Sequence, residues 1–145
     1  MIKKTGLILA VLLFGILESA IAQKASFILG KWYTTEKDAI IEIFEERGKF
    51  FGKVVWLKEP TEKGKAVLDS NNSDKTKRNM PILGLKLLEN FEFKGGIWEN
   101  GTIYDPRSGK VYASTIKKKG ERTIEVRGFI GVSLIGRTVE WTRAE

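Results

Sequence analysis

Beyond an apolar leader, the chain is a succession of short runs in which apolar and polar residues alternate, divided by turns built on Gly, Asn or Pro. A two-residue period places every second side chain on one face of an extended strand. The pattern predicts strands at Gly30–Thr35, Ala39–Glu45, Lys49–Leu57, Leu85–Lys94, Gly96–Asp105, Lys110–Lys118, Arg122–Ile130 and Arg137–Arg143. The segments Glu46-Arg47-Gly48, Gly95-Gly96, Pro106-Arg107-Ser108-Gly109 and Lys119-Gly120 are short and carry Gly where a tight turn needs positive φ. Alternation assigns Phe50, Gly52, Val54 and Trp56 to one face, with Phe51, Lys53, Val55 and Leu57 opposite. Ile124, Val126 and Ile130 share a face of their strand, as do Val139, Trp141 and Arg143 of the last. A short helical turn is expected within Phe27–Lys31, and no long stretch of the remainder has a helical period. Successive strands with short connections predict an all-β fold, an antiparallel up-and-down β-barrel of about eight strands. Closure would leave no edge exposed to another chain.

The N-terminus reads as an address. Lys3 and Lys4 precede the apolar stretch Gly6–Leu17, and Ala20-Ile21-Ala22 offers small residues for cleavage before Gln23. Glu18 interrupts the apolar run, which is short for a membrane span. The expectation is a signal peptide over 1–22 and a single domain over 23–145, exported to a bacterial periplasm or beyond the cell. No later segment is long or apolar enough to be expected to span a bilayer, and no Cys follows the leader to carry a lipid.

Composition narrows the chemistry. With no cysteine and no histidine among 145 residues, the chain has no disulfide, thiol nucleophile, imidazole base or Cys/His metal set. Neither a metal nor a cofactor is expected. The net charge of +7 falls by one when Lys3, Lys4 and Glu18 leave with the leader. A basic surface draws anionic partners, although these charges are spread evenly. Lys117-Lys118-Lys119 and Lys75/Lys77/Arg78 sit at turns without interleaved aromatics, so nucleic acid is not an expected partner. Asp69, Asn71, Ser73 and Asp74 begin like a calcium loop, but the central Gly is missing and Met80 stands where the closing Glu belongs.

The connection Lys58–Met80 is long and polar, the mark of a functional segment or of a simple excursion over one barrel end. Four tryptophans, Trp32, Trp56, Trp98 and Trp141, lie on four strands and imply a broad interior. Some are expected to line a pocket for an apolar or ring-bearing molecule, with Arg127, Arg137 or Arg143 at an anionic end. The expected ligand-binding set is Trp56, Trp98, Tyr104, Asp105, Tyr112, Arg127 and Arg137.

Gly30-x-Trp32 on the first strand with an Arg on the last resembles the lipocalin and wider calycin pattern. That resemblance implies a lipocalin-like barrel whose base is closed by Trp32 packed against Arg143, with Arg137 the second choice. More specifically, the chain is similar to a bacterial exported family, number 2147 in the domain-of-unknown-function series (DUF2147). The matching segments are Gly30-x-Trp32, Phe51–Pro60, Pro81-Ile82-Leu83-Gly84, the run from Trp98 through Tyr104-Asp105-Pro106 to Tyr112, Val126–Gly131, and Gly136-Arg137-Thr138-x-x-Trp141-x-Arg143. The resemblance implies a fold and no activity.

Three functions follow as expectations. The first is a non-enzymatic barrel holding a small hydrophobic or amphipathic ligand. The second is a filled barrel whose surface, including the 58–80 loop, engages an envelope protein or anionic polymer. The third is an enzyme, with Asp105, Tyr104 and Arg127 as its least implausible group.

Overall fold

The computed structural model describes residues 4–131 and 135–145. Its strands are β1 (Gly30–Tyr33), β2 (Ala39–Glu46), β3 (Lys49–Leu57), β4 (Thr61–Glu62), β5 (Lys65–Ala66), β6 (Lys86–Lys94), β7 (Ile97–Asp105), β8 (Lys110–Gly120), β9 (Thr123–Phe129) and β10 (Gly136–Arg143). All but β4 and β5 form one closed antiparallel barrel, each strand beside the next in sequence, with β10 returning to β1. Closure rests on a short register, Trp32 opposite Arg143 and Tyr33 opposite Thr142. Strand β4 pairs only with β5, as a small hairpin inside the long connection.

The inner face follows the sequence alternation except at bulges in β3, β6, β7 and β8, of which the one in β3 is the most instructive. Along β3, Phe50, Gly52 and Val54 point inward and are buried. Ile41 pairs with Val54 but Ile40 with Trp56, so Val55 is an extra residue in a β-bulge. One added residue reverses the facing of everything after it. Trp56 therefore stands on the outer wall, 40% exposed, its ring edge-on to Tyr33 at 6.2 Å.

Side-chain size then tapers the interior. At the end holding Gly30, Phe91, Trp98 and Arg143, the lumen is filled by Trp32, Trp98, Phe91, Ile28, Ile116 and Ile124, all essentially inaccessible. Inward-facing glycines make room for the large neighbours. A Cβ on Gly101 would lie 2.4 Å from the Phe91 ring, and one on Gly52 would lie 2.8 Å from Leu88. An eight-stranded barrel is only just wide enough to be packed solid by such side chains, so this half has no free volume of ligand size.

A plug closes the same end from below. Ser26–Ile28 form a 3-10 turn, slightly earlier than the expected position, that carries Ile28 into the core. Trp98 Nε1 donates to the Ala25 carbonyl at 3.1 Å, and Trp32 Nε1 to the Ile28 carbonyl at 2.8 Å. Arg143 fixes the plug from the last strand. Its guanidinium lies 3.8 Å from the centroid of Trp32 and donates to the carbonyls of Leu29 and Phe27, each at 2.6 Å. Burial, with Arg122 nearby, lowers the Arg143 pKa from its usual value.

Helix α1 (Lys4–Ala25) precedes the plug without a break, and its apolar side chains from Val11 onward are exposed. Val11–Ile28 is long and apolar enough to cross a membrane, a property that a signal sequence at an N-terminus shares.

The connection between β3 and β6 is an ordered structure on the outer wall. Leu68 bridges to Pro81, and Asp69 and Asn72 are buried. Asp69 accepts bonds from the Tyr104 hydroxyl at 2.6 Å and the Asn72 amide at 2.7 Å. Asn71 donates to the carbonyls of Pro106 and Arg107. Asp74 caps the 3-10 turn Lys75–Lys77 through Thr76. The Asx-rich run thus acts as a clasp on the β7–β8 turn, with its side chains committed to the protein itself.

Candidate functional site

The opposite half of the barrel is a cup. Its cavity volume is about 630 Å³, within the range of small-molecule sites, and it opens at the end carrying residues 34–38, 106–109, Ile130 and Ile135. Trp141, 4% exposed, is the floor, separating the cup from the packed base. Above it the wall is apolar, with Val126, Val139, Ile103, Leu87 and Phe129. Gly128 on β9 adds no side chain to this wall, and Ile103 and Tyr112 pack over it. Trp141, Val139 and Arg137 alternate along β10, so all three belong to the lumen side. Four residues at ~3.4 Å each run about 14 Å along β10, and with the usual barrel strand tilt this makes the cup roughly 10 Å deep from Arg137 to the floor.

Polar groups are confined to the rim. Arg137 is exposed and has no ion-pair or hydrogen-bond partner among the described residues; residues 132–134 carry no acidic side chain. Tyr112, on the inner face of β8, likewise has a hydroxyl without a partner among the described residues. Across the mouth, Arg107 Nη2 meets Asp38 Oδ2 at 3.0 Å. These two residues belong to turns on opposite sides of the ring of strands, so their ion pair spans the opening. Asp38 is held by the Thr34 hydroxyl at 2.7 Å, and the Arg107 backbone N–H is capped by Asp105 at 3.0 Å. Ile130 and Ile135 form an exposed apolar lip.

Of the expected ligand-binding set, Tyr104, Asp105, Tyr112 and Arg137 line the cup. Trp56 does not, because of the Val55 bulge. Trp98 does not, because it lies at the base against Phe93 at 4.9 Å and Phe27 at 6.4 Å. Arg127 does not, because it follows inward-facing Val126 on β9 and so points outward, donating to Thr138 at 3.0 Å. The suggested enzymatic group fails to converge for the same reasons. The Tyr104 hydroxyl turns out to Asp69 and its pKa is pushed up to about 12 by burial and by that carboxylate; Asp105 caps a turn and Arg127 is on the far side of the wall. Two lysines of the Lys117–Lys119 run are engaged as well: Lys118 with Glu121 at 2.8 Å and over the Phe27 ring at 4.4 Å, Lys119 with Glu140 and Glu125. Alternation alone did not disclose Trp141 as the floor, or Asp38 and Arg107 as partners.

The residues 30–143 match the model of a family described as "Uncharacterized protein conserved in bacteria (DUF2147)". The chain belongs to the DUF2147 family. Among solved structures, this DUF2147 chain is similar to one described as protein HP1028 from the human pathogen Helicobacter pylori, belonging to the lipocalin family. The TM-score is 0.72 at 21% identity, over 81% of this chain and 83% of the other. At that identity the likeness concerns the fold, which is lipocalin-like. No curated protein sequence matches.

Proposed function

We propose that this DUF2147 barrel is a non-enzymatic binding protein that holds one small, mainly apolar molecule in the cup. The supporting observation is the division of the lumen: a base packed solid and plugged, and above Trp141 an apolar, open-mouthed cavity of about 630 Å³. A barrel serving only as an interaction module has no physical need of that volume, because unfilled apolar space costs stability through lost contacts. The same volume favours ligand binding over the filled-barrel alternative. Removal of 1–22 after export would place the cup in the periplasm or outside the cell, leaving Ala25 to anchor the plug.

The test is binding of the neutral fluorophore N-phenylnaphthylamine to the processed protein. The dye is expected to bind at one site and to take energy from Trp141 on excitation of the indole. Val139→Trp fills the cup from its wall and is expected to abolish binding while the chain stays folded by circular dichroism. Undiminished binding to a folded Val139→Trp variant would exclude the cup.

A further inference from the structure

We propose that the cup takes a single-chain amphiphile with a carboxylate head, its chain on the apolar floor and its head held at the rim by Arg137 and Tyr112. This inference rests on the cup being the binding site and names what it binds. The register places the two residues. Arg137 lies opposite Gly128, which in turn lies opposite Ser114 on β8, two positions from Tyr112 on the same inward face. Two strand spacings across and two residues along β8 put the Arg137 and Tyr112 backbones roughly 12 Å apart. Gly128 lies between them without a side chain, and Ile103 and Tyr112 close over it: a Cβ there would be 3.3 Å from Ile103 Cγ2 and 3.5 Å from Tyr112 Cβ, so Tyr112 is seated against this stretch of wall. This stretch of the rim is therefore flanked by a guanidinium and a phenol, both with donors to spare among the described residues.

Charge selects the head. Of the charged side chains lining the cup, Asp38 and Arg107 are paired with each other, Asp105 is occupied by the Arg107 N–H, and Glu36 lies on the outer turn. Arg137 is thus the single cation in the cup without a carboxylate partner among the described residues. With Arg107 neutralised by Asp38, the one unpaired cation matches one negative charge; Asp105 and Glu36 at the same rim would oppose the second charge of a phosphate monoester. A carboxylate also suits the guanidinium fork, which presents two parallel N–H donors. Beneath the head, the ~10 Å of apolar depth accepts an extended alkyl chain of medium length, and the exposed lip of Ile130 and Ile135 suits a chain entering tail first.

Calorimetric titration of the processed protein with decanoate, decanol and decyl phosphate tests this. Decanoate is expected to bind with one-to-one stoichiometry, at least tenfold tighter than either decanol or decyl phosphate. Arg137→Gln is expected to weaken decanoate by ten- to a hundredfold and leave decanol unchanged; Arg137→Lys should retain part of the preference, and Tyr112→Phe should cost a few-fold. Equal affinity for decanoate and decanol, preference for the phosphate, or an Arg137→Gln variant that binds decanoate normally would overturn the carboxylate assignment while leaving the cup as the site. Absence of binding by all the probes, with N-phenylnaphthylamine also rejected, would overturn both.

Discussion

The base latch allows a stability prediction worked from its geometry. Arg143→Ala removes two short charge-assisted hydrogen bonds, to Leu29 and Phe27, and a guanidinium seated on the Trp32 ring. Hydrogen bonds to charged groups contribute about 1.5–3 kcal/mol each and a cation–π contact about 1 kcal/mol. The partial burial of Arg143 is unfavourable to its charge and offsets some of that gain, so the low end applies. The expected loss is about 3–4 kcal/mol, which for a chain of this size lowers the melting temperature by roughly 12 °C. Arg143→Lys keeps the charge but cannot fork to two carbonyls and is expected to recover less than half. Trp32→Phe should weaken the stacking and lose the bond to the Ile28 carbonyl, and the double variant should cost about 1 kcal/mol less than the sum of the singles. Urea unfolding of the processed chain, followed by tryptophan fluorescence, supplies all four values. Additive single and double variants, or an Arg143→Ala melting temperature within ~3 °C of the parent, would refute the latch.

Other expectations follow from the same structure. Gly109 has φ +69° and a Cβ there would fall 1.9 Å from the Asn71 carbonyl, so Gly109→Ala should release the clasp and raise amide exchange across residues 66–82 while the barrel strands stay protected. Tyr104 is held neutral up to about pH 12 in the fold, against 10.0 for the free side chain; the folded state then binds the proton more tightly, so stability contributed by this group is intact below pH 10 and falls as pH rises to 12. Tyr104→Phe should remove that part of the alkaline decline, and an identical pH profile in the variant would show that the group is not coupled to folding. Arg107→Gln breaks the ion pair across the mouth; being exposed, the pair adds only ~0–1 kcal/mol, so the melting temperature should hold while ligand association and release both quicken in stopped flow. Unchanged rates would mean the pair does not restrict entry.

Most of the fold was legible because alternation reports facing directly. The turns at Gly95-Gly96 and Pro106–Gly109 separated the strands as observed, and the meander order left closure as the simplest arrangement. What alternation cannot report is height in the barrel or a miscounted residue. Trp98 and Trp141 both face inward, yet one belongs to the base and the other to the cup floor; nothing in their local sequence distinguishes the levels. The Val55 bulge turns Trp56 outward through a single unpaired residue in an otherwise uninterrupted run. The clasp was hidden for a different reason. Asp69 and Tyr104 are 35 residues apart, and a polar Asx-rich segment looks the same whether it is solvated or tied down. Arg127 and Arg137 were indistinguishable by type and separated only by register, which puts one on each side of the wall.

The most direct measurement of the central claim is native mass spectrometry of the protein purified without detergent from the cells that make it, beside the Val139→Trp variant. A single adduct of small-molecule mass is expected on the parent, lost on denaturation and missing from the variant. A parent that carries nothing, or an adduct that persists when the cup is filled, would contradict the assignment of the cup as the binding site.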